Sequence, residues 1–183
     1  MNAPTAPLSP YSSALGTENV ETHTLSILVD NEPGVLARVV GLFSGRGYNI
    51  ESLTVAEVAH AEHLSRITIV TSGPAAAIEQ IGHQLNRLVP VHNVKDLTLS
   101  GHAIDRELAM IKVAGTGVAR EEALRLGEVF RADVIDTTPE SFIFELTGTA
   151  KKIDEFAEAM RPLGLVEVAR TGVAAMTRGK EPT

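Results

Sequence analysis

Twice along this chain the apolar residues change their spacing in the same order, and that repetition restricts the fold more than any other property of the sequence. Thr24 to Val29 is rich in Leu, Ile, Val and Thr with partial alternation, the pattern of a strand packed on at least one face. Val35, Leu36, Val39, Val40, Leu42 and Phe43 then recur at steps of three and four, a helix stripe that runs to about Ser44 before Gly45-Arg46-Gly47 stops it. Ile50 to Val58 and Leu64 to Thr71 return to strand spacing on either side of the polar loop Ala59 to His63. Ser72-Gly73-Pro74 reads as the entry to a second helix, marked by Ile78, Ile81, Leu85 and Leu88 and ended by Pro90. Val91 to Leu99 closes the unit with a fourth strand.

After a short linker, residues 100–105, the plan repeats. Leu108 to Val113 reads as a strand, and Val118 to Phe130 as a helix. Asp133 to Thr137 and Ser141 to Leu146 read as strands around the Thr138-Pro139-Glu140 turn. Thr149 is a good N-cap for a helix whose Ile153, Phe156, Ala157 and Met160 follow the helical spacing; Pro162 and Gly164 stop it. Leu165 to Thr171 is the last strand. Two βαββαβ units of about 75 residues each imply an α+β protein of two tandem ferredoxin-like sandwiches, with both helices on one face of each antiparallel sheet. The boundaries are a disordered tail over 1–22, a first domain over 23–99, a second over 106–175, and a tail over 176–183. The open sheet faces and edge strands need cover, and pairing across a dimer supplies it in many small sheets.

Composition removes several classes of function. The 183 residues carry a net charge of −7, which leaves no basic face for nucleic-acid phosphates. No apolar run approaches the roughly 20 residues that span a bilayer. The absence of Cys excludes disulfides, thiolate metal sites and cysteine nucleophiles, and fits a cytoplasmic protein. Residues 1–22, with Pro4, Pro7 and Pro10 among small polar residues and no Lys or Arg, resemble neither a secretory nor a mitochondrial signal.

The junction of the first strand and helix, Asp30-Asn31-Glu32-Pro33-Gly34-Val35-Leu36, has the makings of a small-ligand site. Pro33 presets φ for a first helical position, and Gly34 leaves the backbone bare. The first amides of a helix lack internal partners and sit at the positive end of its dipole, so a carboxylate can dock there. Asn31, with a carbonyl on its side chain, can hold an adjacent ammonium group, which points to a free amino acid. An ordinary capped strand-to-helix turn has the same residue pattern. In a dimer, Gly47-Tyr48-Asn49 at the start of an edge strand can reach the helix start of a neighbouring protomer, giving a site shared between chains.

The runs Asn31-Glu32-Pro33-Gly34-Val35-Leu36-Ala37-Arg38-Val39 and Gly41 to Ala56, with Leu64 to Val70 and Gln84 to Val89, resemble the ACT domain of the regulatory small subunit of acetolactate synthase, also called acetohydroxyacid synthase. Arg106 to Val113, Phe130 to Asp136, Pro139-Glu140-Ser141, Leu146 to Thr149, Arg161 to Gly164 and Arg170-Thr171-Gly172 are similar to that family's C-terminal domain. The resemblance covers residues from about 23 to 179, and its long Gly41 to Ala56 run is the most specific part. It implies a non-catalytic subunit of an enzyme complex, a transferase. Such a subunit activates a separate catalytic large subunit and confers feedback inhibition by a branched-chain amino acid, usually valine. It implies no cofactor on this chain, with thiamine diphosphate, Mg and FAD on the catalytic partner, and a homodimer through the ACT domains. Asn31, Gly34, Val35 and Leu36 would face the effector from one chain, and Asn49 and Ile50 from the other. The carboxylate would go to the amides of Gly34, Val35 and Leu36, the ammonium to Asn31 and Asn49, and the isopropyl group to Leu36 and Ile50. His92-Asn93 departs from the family pattern at a place expected to touch neither the effector loop nor the second domain.

Other signals have plainer readings. His60 and His63 fall short of the three or four ligands of a zinc site unless Glu57 and Glu62 join them, and they read as a solvated loop. Gly115-Thr116-Gly117 lacks the third glycine and the parallel βαβ context of a dinucleotide fingerprint, and reads as a turn before a helix. Asp154, Glu155 and Glu158 read as a helix surface. No constellation for nucleophilic or acid-base catalysis emerges. The competing function is an amino-acid-sensing ACT protein acting on another partner, such as a transcriptional regulator; it requires a helix-turn-helix or a basic arm, and neither is legible.

Overall fold

In the computed structural model, which describes residues 20–101 and 103–183, the first domain is built on the central strand β1 (Val20–Asp30). Its alternate residues Leu25, Ile27 and Val29 are buried in one core with Val35, Val39 and Phe43 of α1 (Val35–Arg46) and Ile78, Ile81 and Leu85 of α2 (Ala75–Leu85). With β2 (Ser52–Ala59), β3 (Leu64–Pro74) and β4 (Val91–Asp96) it forms an antiparallel sheet of order β2-β3-β1-β4. Both helices pack on one face because only that face carries the apolar half of each strand's alternation. Gly47, in the left-handed region at φ 72°, ends α1 with its amide on the Ser44 carbonyl, so Gly45 lies inside the helix and not in its stop.

The second domain repeats the topology. It comprises β5 (Ala103–Ala114), α3 (Gly117–Phe130), β6 (Asp133–Thr137), β7 (Ser141–Gly148), α4 (Ala150–Met160) and β8 (Leu165–Arg170), in the order β6-β7-β5-β8. Its core is more aromatic than the first: the Phe142 and Phe144 rings meet edge-to-face at 5.0 Å, and Phe144 and Phe156 at 5.4 Å. Thr149 caps α4, its hydroxyl accepting from the Lys152 amide at 3.3 Å. Arg170 donates two hydrogen bonds to the buried Glu107 carboxylate, at 2.9 and 2.7 Å, and a third to Asp154 on α4 at 2.6 Å. Hydrogen bonding to Glu107 foremost holds the guanidinium above its ordinary pKa, against the opposing effect of burial, with Asp154 adding to the rise. Asp154 is therefore a partner in this network, more than the solvated helix surface its sequence implies.

The ends of elements correct the sequence reading where pairing is non-local. Residues 1–19 of the expected tail lie outside the described residues, but Val20, Glu21 and Thr22 belong to β1, opposite Pro74, Gly73 and Ser72. Those three extend β3, and the helix they were expected to open starts at Ala75. The linker is shorter than 100–105, because Ala103, Ile104 and Asp105 already pair with a strand absent from the sequence reading, β9 (Ala174–Thr177). Residues 176–183 are thus not merely a tail: Met176 and Thr177 are in β9, and Thr183 bonds both Thr177 and Arg66. Ala174-Ala175-Met176-Thr177 shows no apolar alternation, so nothing local marks it as a strand.

This C-terminal segment covers the face of the first sheet that the helices leave open. The Val173 amide donates to Ser52 Oγ at 2.9 Å, the Arg66 guanidinium to a main-chain oxygen of Thr183 at 2.9 Å, and Lys95 to the Pro182 carbonyl at 3.1 Å. Gly172, at φ +82°, sits so close to β2 that a Cβ there would lie 2.9 Å from the hydroxyls of Ser52 and Thr54. Cover expected from a second molecule is supplied on this face from within the chain.

Candidate functional site

The loop between β1 and α1 is held at its base and open at its tip. The Asp30 amide donates to the Pro90 carbonyl at 2.9 Å, and the Asn31 amide to the His63 carbonyl at 2.7 Å. His92, expected to lie away from the loop, instead places Nε2 2.6 Å from the Asp30 carboxylate, one residue before Asn31. The cause is the β1–β4 register, which shifts between Leu28 and Val29 and sets Val29 opposite Val91.

Pro33 does not occupy the first helical position. It lies in a turn, and Gly34 is the N-cap, at φ 87° in the left-handed region, with no side-chain cap. Only Gly adopts this conformation without strain, and a Cβ built on Gly34 meets no atom within 4 Å, so the backbone faces open space. The Arg38 amide takes the Gly34 carbonyl at 3.1 Å, and the Val35 amide faces the Glu32 carbonyl at 3.4 Å. Among the described residues, the amides of Gly34, Leu36 and Ala37 have no acceptor. Val35 differs from its neighbours: its side chain is buried and its amide is bonded, so it braces the turn, whereas Leu36 is 40% exposed beside the free amides. Ala37, not named in the sequence reading, joins the donor set.

Asn31 is exposed, and its side-chain amide lies near enough to the Glu57 carboxylate, at the end of β2, to favour its ionised form. His60, 2.8 Å from that carboxylate, does most to hold Glu57 below the usual carboxylate range; desolvation opposes it, and the charge of His60 and the nearby Asn31 amide assist it. Asn31 and Glu57 together present an amide oxygen and an anion beside a row of free amides. Glu57 was weighed from sequence only as a metal ligand, because its proximity to Asn31 depends on the β2–β3 pairing. Among the described residues no group of three His, Cys, Asp or Glu is placed to hold a metal.

Asn49 and Ile50 lie at the other end of the sheet. The Asn49 carbonyl accepts from Thr71 Oγ1 at 2.6 Å, and Ile50 packs partly buried against the core. The 12 residues of α1 separate Asn31–Leu36 from Asn49, a rise of roughly 18 Å. One chain therefore does not bring the six expected residues around one small molecule. β2 starts beside Asn49 and ends beside Glu57 and the Asn31 loop, and among the described residues it is an edge strand, paired only with β3.

Comparison with known proteins places this geometry in a family. Residues 25–93 match the family model described as an AHAS small subunit-like ACT domain, and residues 106–179 match the one described as the small subunit of acetolactate synthase. A probable acetolactate synthase small subunit from Archaeoglobus fulgidus is 45% identical over 159 residues, covering 87% of this chain and 98% of that one. The acetolactate synthase isozyme 3 small subunit of Salmonella typhimurium is 47% identical over 156 residues, covering 85% and 94%. The crystal structure of the acetolactate synthase small subunit from Thermotoga maritima superposes with a TM-score of 0.78 at 38% identity, over 88% of this chain and 99% of that chain. With both domains matched in order and the fold shared over nearly the whole length, this chain belongs to the acetolactate synthase small-subunit family.

Proposed function

We propose that this chain is the regulatory subunit of acetolactate synthase: it docks on a catalytic large subunit, raises its activity, and lets a branched-chain amino acid, valine first, turn that activity down. Thiamine diphosphate, Mg and FAD are then carried by the catalytic partner. The observation that carries the reading is the separation of the two half-sites along β2. If two chains pair their β2 edges antiparallel about a two-fold axis, the start of each strand comes beside the end of the other, and Asn49 and Ile50 of one chain approach Asn31, Gly34 and Leu36 of its partner.

In that enclosure the carboxylate of valine meets the free amides of Gly34, Leu36 and Ala37 at the positive end of the α1 dipole. Its ammonium meets Asn31, with Glu57 behind it, and the partner's Asn49. The isopropyl group lies on Leu36 and Ile50. Effector binding becomes inhibition only if valine prefers one arrangement of the two chains, and a differential of roughly 1–3 kcal/mol is enough for a useful switch. The family assignment favours this reading over a transcriptional regulator. The test is to mix the purified chain with a catalytic large subunit and measure acetolactate formation with and without valine, while following the oligomeric state. Stimulation by the chain and inhibition by valine support the reading; a monomer indifferent to millimolar branched-chain amino acids overturns it.

A further inference from the structure

The edge strand β2 turns one carboxylate toward the helix layer of the first domain. Ser65 of β3 pairs with Val29 of β1 on one side and with Glu57 of β2 on the other. Residues opposite one another in an antiparallel sheet share a face, and Val29 is buried in the core beneath the helices, so Glu57 also points to the helix side. Because α1 runs from the end of β1 back to the start of β2, Glu57 near the end of β2 stands at the same end of the sheet as the start of α1. The groups that act on its charge are His60, Asn31 and His63, with no Lys or Arg among them. Two opposite charges therefore stand at one end of the domain: the positive end of α1 with its free amides, and the ionised Glu57.

We propose that Glu57 makes the effector site specific for an α-amino acid over its deaminated and 2-oxo analogues. This role rests on the effector reading above, and it decides which small carboxylates the loop accepts. Free amides at a helix start take any small carboxylate, so they do not tell valine from an acid of the same hydrocarbon. Glu57 does. The ammonium of an amino acid makes a charge-assisted bond to it and stands between two negative groups, whereas an acid without the ammonium brings its own charge up to Glu57 unscreened. Asn31 alone cannot make the distinction, because its side chain is neutral and holds both a donor and an acceptor. His60, 2.8 Å away, holds the carboxylate in place and in its ionised form. Val55, two residues earlier on the same face of β2 and 41% exposed, offers apolar surface beside it.

The probes are valine, isovalerate, which is valine without its ammonium, and 2-oxoisovalerate, titrated calorimetrically into the full chain and into Glu57→Gln, which keeps the shape and removes the charge. The wild type is expected to bind valine at least about tenfold more tightly than either analogue, as a charge-assisted bond implies. In Glu57→Gln, valine is expected to weaken about tenfold while the analogues bind unchanged or more tightly, so the preference closes. Glu57→Asp is expected to keep a preference for valine. A disturbed fold weakens all three ligands alike and does not move the two classes apart. The proposal alone is overturned if valine binds the wild type but Glu57→Gln retains the same preference, if that variant weakens all three in parallel, or if the wild type binds the analogues as well as valine. A wild-type chain that binds none of the three overturns the effector reading and this role with it.

Discussion

The two domains share one topology, yet the loop between first strand and first helix is open in one and sealed in the other. In the N-terminal domain, Gly34 faces no atom within 4 Å and three amides stay free. In the C-terminal domain the corresponding turn is closed over. The Ala114 amide donates to the Gly164 carbonyl at 2.9 Å and the Gly115 amide to the Glu140 carbonyl at 3.1 Å. A Cβ on Gly115 would sit 3.2 Å from the Leu163 carbonyl. The sandwich alone does not make a ligand site. Free donors at a helix start need open space in front of them as well, and the two domains differ in that space. In both domains the strand end before the helix is bonded through its amides, but in the second a neighbouring turn packs against it at Gly115, where the first leaves open space at Gly34.

Substitutions at the paired glycines test that contrast most sharply. Gly164, at φ +102°, packs so tightly that a Cβ would lie 1.9 Å from the Ala114 carbonyl. Gly164→Val is expected to cost at least about 4 kcal/mol in chemical denaturation, the combined effect of overlap and backbone strain; a cost near 1 kcal/mol would mean the loop is not sealed. Gly34→Asp places a fixed carboxylate at the free amides and is expected to lower valine affinity by roughly 3 kcal/mol through like-charge repulsion. Inhibition should vanish while activation of the catalytic subunit persists, and inhibition curves matching the wild type would remove the loop from the site. Asn49→Ala takes away one hydrogen bond to a charged group, expected to cost about 1.5–3 kcal/mol of valine binding. Calorimetry giving an undiminished affinity would dismiss Asn49. Gly34→Ala, with open space around its new methyl, is expected to cost only about 1 kcal/mol of stability, from the left-handed backbone. A far larger loss would show that Gly34 is as enclosed as Gly164.

Much of the fold was readable from short-range pattern. The stripe Val35, Val39, Phe43 and the alternation Leu25, Ile27, Val29 are the buried faces of α1 and β1, and the Thr149 cap stands where its residue type implies. The candidate loop was legible because Asn, Pro and Gly in that order have few local conformations. Its detail was not: that Gly34 caps the helix while Pro33, expected at a first helical position, stays outside it, and that Ala37 stands in for Val35 among the free amides, depends on which carbonyls the folded loop presents. Glu57 and His92 came to the loop through strand register, which no local spacing encodes.

Periodicity and turn chemistry by themselves determined that this protein is a pair of βαββαβ sandwiches and that the first carries a bare helix start, because such elements arise from contacts a few residues apart. Tertiary structure alone decided that Ala174–Thr177 is a strand and that the C-terminal segment roofs the first sheet. Those features join residues far apart in sequence, and their free energy comes from surfaces that exist only after both domains have formed.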